Sequence, residues 1–158
     1  MRRFWEKTIW KRMCSMGFID CASNASIWRG YEYYETKQVK SWTQVDKTKY
    51  EGFVKGSSSP EYSVKIDALH PRKGACNCPY ADGKRIVCKH QIALYFTVFP
   101  DEAERFMQEV EEYEREEEQR EQELYEDIVN YVNSLSVEQL RLELIQALME
   151  KEDDDFYW

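Results

Sequence analysis

The chain has 158 residues, 33% of them charged and 15% aromatic, with 5 cysteines, 2 histidines and a formal net charge of −8. That length suits one domain with a modest core plus an appendage. No apolar run reaches the roughly 18 residues of a membrane span, and no short apolar block of a signal peptide opens the chain, so a cytoplasmic, thiol-reducing setting is expected.

The charge is unevenly spread. Residues 1–99 carry 17 Lys+Arg against 9 Asp+Glu, whereas residues 100–158 carry 5 against 21. Such asymmetry suits a polyanion, a basic partner, or the protein's own other half. Residues 1–23 open with a stretch, 2–16, in which Trp5, Ile9, Met13 and Met16 share one helical arc and Arg3, Lys7 and Lys11 another. This predicts a basic amphipathic helix, either packed with a solvated charged face or lying on a membrane surface or nucleic acid. Gly17 suits its end, and Ser23 or Asn24 suits the cap of a second helix running to about Glu35.

Three strands are expected next, Val39 to Val45, Lys49 to Lys55 and Tyr62 to Asp67. They are rich in β-branched and aromatic residues, and Tyr62, Val64 and Ile66 alternate with Ser63, Lys65 and Asp67. Gly56 to Pro60 reads as a turn. His70, before Pro71, reads as an exposed loop residue. A fourth strand, Ala75 to Cys78, leads into Cys76-Asn77-Cys78 and then Cys88-Lys89-His90, two dyads in the pattern C-x-C-x9-C-x-H.

Side chains two apart on a strand point to one face, so Cys76 and Cys78 can reach one ion together. Pro79 and Ala81-Asp82-Gly83-Lys84 supply a turn that returns the chain. Ile86, Val87, Ile92, Ala93, Tyr95 and Phe96 read as the start and apolar face of a helix. Within a helix, positions i and i+2 diverge by about 200°, so Cys88 and His90 must occupy its first turn. Three thiolates and an imidazole make a closed tetrahedral zinc site of the structural kind, with no position left for water. Two other readings stand beside it: disulfides recruiting Cys14 or Cys21, which need an oxidising compartment, and buried cysteines acting as small hydrophobes.

This pattern resembles the SWIM zinc finger. Trp28 to Tyr31, Val39 to Val45, Tyr50 to Ser57 and Tyr62 to Ile66 look like the strands that precede the ligands in that family, and Cys88 to Leu94 is similar to its usual end. The resemblance spans about residues 24–98, and the whole looks like the small stand-alone bacterial SWIM proteins. It implies one structural zinc on Cys76, Cys78, Cys88 and His90, binding to DNA or to protein, and no chemistry of its own.

Pro100 ends the finger helix, and residues 100–133 read as one long acidic helix with Asp101 and Glu102 at its favourable end. Phe106, Val110 and Tyr113, then Leu124, Ile128 and Val132, keep helical spacing around a solvated acidic middle. Ser136-Val137-Glu138-Gln139 is a capping-box sequence for a last helix with Leu140, Leu144, Ala147 and Leu148 as its stripe. Lys151 to Trp158 read as a frayed tail.

The expected architecture is α+β: a small antiparallel β-sheet with a Cys3His zinc site and finger helix over 24–99, followed by an all-helical acidic C-terminal extension over 100–133 and 134–158. Arg72, Lys73, Lys84, Arg85 and Lys89 lie in loops around the ligands and are the candidate phosphate contacts for DNA. Arg29, Lys37 and Lys40 widen that patch. Trp28, Tyr31 and Trp42 are stacking candidates, for which core packing is the preferred reading. A protein partner or homo-oligomer through the C-terminal helices is the competing expectation. There is no glycine-rich phosphate loop and no converging carboxylate pair, so neither an enzyme nor a small-molecule substrate is expected.

Overall fold

A computed structural model describes residues 17–56 and 61–155, with side chains described as far as residue 150. The basic helix expected over 2–16 and most of the Gly56–Pro60 turn lie outside these residues. The chain divides into two compact units, residues 1–109 and 110–158.

In the first unit, Ser23 caps helix α1 (Asn24–Glu35), its hydroxyl accepting from the Ser26 N–H at 3.3 Å. The other end closes without glycine. Gln38 N–H donates to Tyr33 O at 2.9 Å and Lys37 N–H to Tyr34 O at 3.0 Å. This is the paired bonding of a Schellman end, and it places Lys37 at φ 53°, a conformation that glycine adopts more cheaply.

Four antiparallel strands follow, β1 (Val39–Asp46), β2 (Lys49–Val54), β3 (Tyr62–Asp67) and β4 (Ala75–Cys76), in spatial order β1-β2-β3-β4. The first three match their sequence patterns closely; β4 is shorter than expected and stops at Cys76. Alternation does its work on β2 and β3, where Tyr50, Gly52 and Val54 face inward beside Ile66, Val64 and Tyr62. Asp67 ends β3. Its Oδ1 accepts from the N–H groups of Leu69 and His70, each at 3.1 Å, and from Thr48 Oγ1 at 3.2 Å. His70 stands exposed as expected, with Nδ1 3.5 Å from Asp67 Oδ2.

Helix α2 (Lys89–Val98) is the centre of the core. Every residue from His90 to Phe96 is buried, so it lacks the polar face of a surface helix. It starts later than its apolar pattern suggests: Ile86 and Val87 precede it in extended chain, and Val87 pairs in a parallel bridge with Ala22. α1 crosses α2 where Gly30 meets Ile92, so closely that a Cβ on Gly30 would lie 2.5 Å from Ile92 Cβ.

Helix α3 (Pro100–Ser134) begins at Pro100, with Asp101 and Glu102 in its first turn. Its opening turns, up to Glu109, belong to the first unit. Phe106 meets Trp28, Tyr31 and Phe96 at ring-centroid distances of 5.2, 5.8 and 5.8 Å. Tyr31 is half-buried, packed against the core rings of Phe96 and Phe106. Trp28 and Trp42 pack only in part: each lays an edge on a neighbour, Phe106 or Tyr50, yet stays 41% and 43% exposed.

The second unit holds the rest of α3 and helix α4 (Val137–Asp155). Ser136 and Gln139 form the expected capping box, with Ser136 N–H on Gln139 Oε1 at 2.9 Å and Gln139 N–H on Ser136 Oγ at 3.3 Å. α4 runs on as helix to Asp155, beyond the point where fraying was expected. No helix among the described residues is long and apolar enough to cross a membrane.

Candidate metal centre and basic loops

The two dyads converge. The ligand atoms of Cys76, Cys78, Cys88 and His90 all lie within 4.8 Å of one another, and all four residues are buried. Cys76 is held by the sheet, since β4 pairs it with Val64. Asn77 extends that pairing past the strand: its Oδ1 accepts from Ser63 N–H at 2.9 Å, and its own N–H donates to Ser63 O at 3.3 Å. Cys78 then begins the turn, its carbonyl accepting from Ala81 and Asp82 N–H at 3.0 and 2.9 Å. Gly83, at φ 68°, takes the left-handed conformation that lets the loop return.

The second dyad depends on how α2 starts. Cys88 is the N-cap residue, extended rather than helical, and His90 stands in the first turn, which resolves the i, i+2 problem. Gln91 fixes this start. It is fully buried, its Oε1 accepts from Cys88 N–H at 3.0 Å, and its Nε2 donates to Lys65 O on β3 at 3.5 Å. One side chain thus clamps the helix mouth and ties it to the sheet. Its signal was in the sequence as Cys88-x-x-Gln91, a capping box with cysteine in the usual Ser/Thr place.

The distances fit zinc. Zn–S near 2.3 Å and Zn–N near 2.0–2.1 Å imply a tetrahedral S···N edge of about 3.6 Å. His90 Nδ1 lies 3.7 Å from Cys76 Sγ and 3.9 Å from Cys88 Sγ. The electrostatics agree. The Cys76 thiol beside it, then His90 and the α2 N-terminus, pull the Cys88 thiol far below its usual range, although burial opposes this. The Cys88 sulfur and burial push Cys76 far above it. A dication at this point stabilises the thiolate form of the sulfurs that ligate it. With Nδ1 turned to the metal, the imidazole proton sits on Nε2. That atom is buried with no hydrogen-bond partner among the described residues, and the rings of Tyr62 and Tyr33, at 4.7 and 5.5 Å, confine the imidazole. Cys21, Cys76, Cys78 and Cys88 are free, so no disulfide forms among the described residues.

Residues 62–99, from β3 to the end of α2, match the family model of the SWIM zinc finger. This segment is a SWIM zinc finger. The match is narrower than the resemblance drawn over residues 24–98, yet α1 and β2 pack around the SWIM segment to complete its core, and β1 adds a largely exposed edge strand. No curated protein and no solved structure matches the chain. The zinc of the SWIM finger is structural, because four protein ligands fill a tetrahedral sphere.

The candidate phosphate contacts fall around the SWIM finger in three places. Lys84 and Arg85, both exposed, line a cleft of about 360 Å³ with Lys65, Asn77 and Gly83. Arg72 and Lys73 sit exposed on a 3-10 turn, Pro71–Lys73, that leads into β4. Lys89 lines a second cleft, of about 320 Å³, beside Arg29 and three of the ligands. Its ammonium is already engaged, donating to Tyr33 Oη at 2.8 Å and lying 4.3 Å from the centre of that ring.

Proposed function

We propose that the protein is a nucleic-acid-binding module, with DNA as the polyanion, in which structural zinc gathers basic loops into one phosphate-binding surface. The observation that carries this reading is the cleft of Lys84 and Arg85. Both stand on the loop whose two ends are zinc ligands, so the metal cross-link fixes where their charges point. Arg72, Lys73 and Lys89 contribute further positive charge, each from an element that leads into a ligand. Phosphate contacts supply most of the affinity in such interfaces. The protein has no chemistry of its own in this reading and works in the cytoplasm, where thiols stay reduced.

The test is a mobility-shift titration against duplex DNA at several salt concentrations. Wild type should bind more weakly as salt rises, and Lys84→Glu with Arg85→Glu should weaken binding and flatten the salt slope by about 1 for each phosphate no longer neutralised. Binding that ignores salt, or that survives the double charge reversal, defeats the proposal.

A second reading, a protein-interaction adaptor or self-associating scaffold, draws on a different observation. The second unit exposes large apolar side chains along both of its helices.

A further inference from the structure

We propose that the helical unit over residues 110–155 is the docking surface for a basic amphipathic helix of a partner protein. This rests on the second reading above and names the partner's chemistry.

The surface is built from two stripes. On α3, Leu124 and Ile128 stand one turn apart and are followed by Tyr131 and Val132, a helical i, i+4, i+7, i+8 face. On α4, Leu144 and Leu148 form one arc, and Ile145 and Met149 form a second about 100° around the axis. All six of these Leu, Ile and Met side chains are more than half exposed. The helices do not close their stripes on one another. They are tied by Tyr131 Oη donating to Glu143 Oε1 at 3.2 Å, a polar contact beside the turn. Each helix thus presents an exposed apolar stripe of its own at helical spacing, the anchor pattern against which another amphipathic helix packs.

Charge selects the occupant. Residues 110–158 carry 17 acids against 4 basic side chains. A second copy docking these same helices stripe to stripe would bring the same excess of acids with it, so like charges would oppose the apolar gain. A neutral helix would leave the acidic rim unmatched. A helix with an apolar face flanked by Lys or Arg satisfies both features, and its charges raise the association rate as well. At 1.5 Å per residue, the 19 residues of α4 offer about 28 Å of length, enough for a partner helix of about 18 residues.

The experiment uses the full zinc-loaded chain and fluorescent synthetic peptides of about 18 residues. One carries leucines at i, i+3, i+4 and i+7 with a lysine face; a second has the same composition scrambled to erase the stripe; a third replaces lysine by glutamate. The first should bind saturably, at least tenfold more tightly than either control, and gain helical circular dichroism. Ile128→Ser and Leu148→Ser, both at exposed positions, should each weaken it about fivefold or more while the protein's own dichroism stays unchanged.

Equal binding of the scrambled peptide reduces the effect to charge and overturns the proposal, and equal binding of the glutamate peptide removes the role of charge and overturns it too. Sedimentation showing concentration-dependent self-association that Leu148→Ser abolishes, with no peptide bound, assigns the surface to a second copy. That outcome defeats the basic-helix proposal but preserves the second reading. A monomer that binds no peptide defeats both.

Discussion

Replacing Gly30 by alanine sets two quantities against each other. Gly30 is inside α1, where helix propensity alone favours alanine by about 1 kcal/mol. The added methyl, however, would lie 2.5 Å from both Cβ and Cγ2 of Ile92 and 2.9 Å from the Lys89 carbonyl. Carbon pairs rest at about 3.5–4.0 Å, so α1 and α2 must separate by roughly 1 Å or more. Shortening Ile92 offers no relief, because its Cβ is itself in the clash and the carbonyl is backbone. Overpacking of a tight core costs about 1–3 kcal/mol, and this site belongs at the upper end. The net expectation is a loss of about 2 kcal/mol. In urea, with a slope of about 2 kcal/mol/M, that moves the midpoint down by about 1 M. Because α2 carries Cys88 and His90 in its mouth, zinc affinity measured by chelator competition should fall in the same variant. A midpoint unchanged, or raised as propensity alone would have it, refutes the close helix crossing.

Three further substitutions probe other joints. Gln91→Leu leaves the buried Cys88 N–H without its acceptor, a penalty of about 1–3 kcal/mol, and should lower zinc affinity about 10- to 100-fold in competition with a chelator. Lys37→Gly relieves the positive φ at the end of α1 and should raise the urea-derived stability by up to about 1 kcal/mol. Asp67→Ala removes the acceptor that closes β3. Burial pushes the Asp67 carboxyl up, but the His70 and Leu69 N–H groups, the Thr48 hydroxyl and the His70 ring together hold it below its ordinary value. A depressed carboxylate contributes fully above its unfolded pKa, near 4, and loses that contribution as pH falls through its lower folded value. The stability gap between wild type and Asp67→Ala should therefore narrow as pH falls below about 4. A gap that does not narrow there contradicts the assignment.

The sequence made the site legible because zinc chemistry is written in residue type and spacing. Four ligands in two dyads left few geometries, and the i, i+2 gap of Cys88 and His90 already demanded a helix mouth. Alternation likewise marked β3, where Tyr62, Val64 and Ile66 are buried, and β-branched and aromatic content marked β2. It did less well where tertiary contacts overrule local pattern. Ile86 and Val87 looked helical, being apolar, but Val87 serves as extended chain against Ala22. The end of α1 carries lysine where a glycine signal was wanted, and the bonding to Tyr33 and Tyr34 overrides the residue's preference. The crossing at Gly30 and the clamp by Gln91 are relations between elements far apart in sequence, invisible until the elements pack. The basic loops were found by composition, yet only coordinates separate exposed Arg85 and Lys84, whose ammonium donates to the Tyr80 carbonyl at 3.2 Å, from half-buried Lys89, whose ammonium is held by Tyr33.

The central claim is that one tetrahedral metal cross-link organises the first unit. The most direct measurement is the zinc content of protein purified without added metal, alongside Cys76→Ser and His90→Ala variants, with folding followed by circular dichroism as a chelator removes the ion. About one zinc per chain, lost in both variants and needed for cooperative unfolding, is the predicted result. A metal ratio near zero in folded wild type, or a fold that survives complete chelation unchanged, would contradict it.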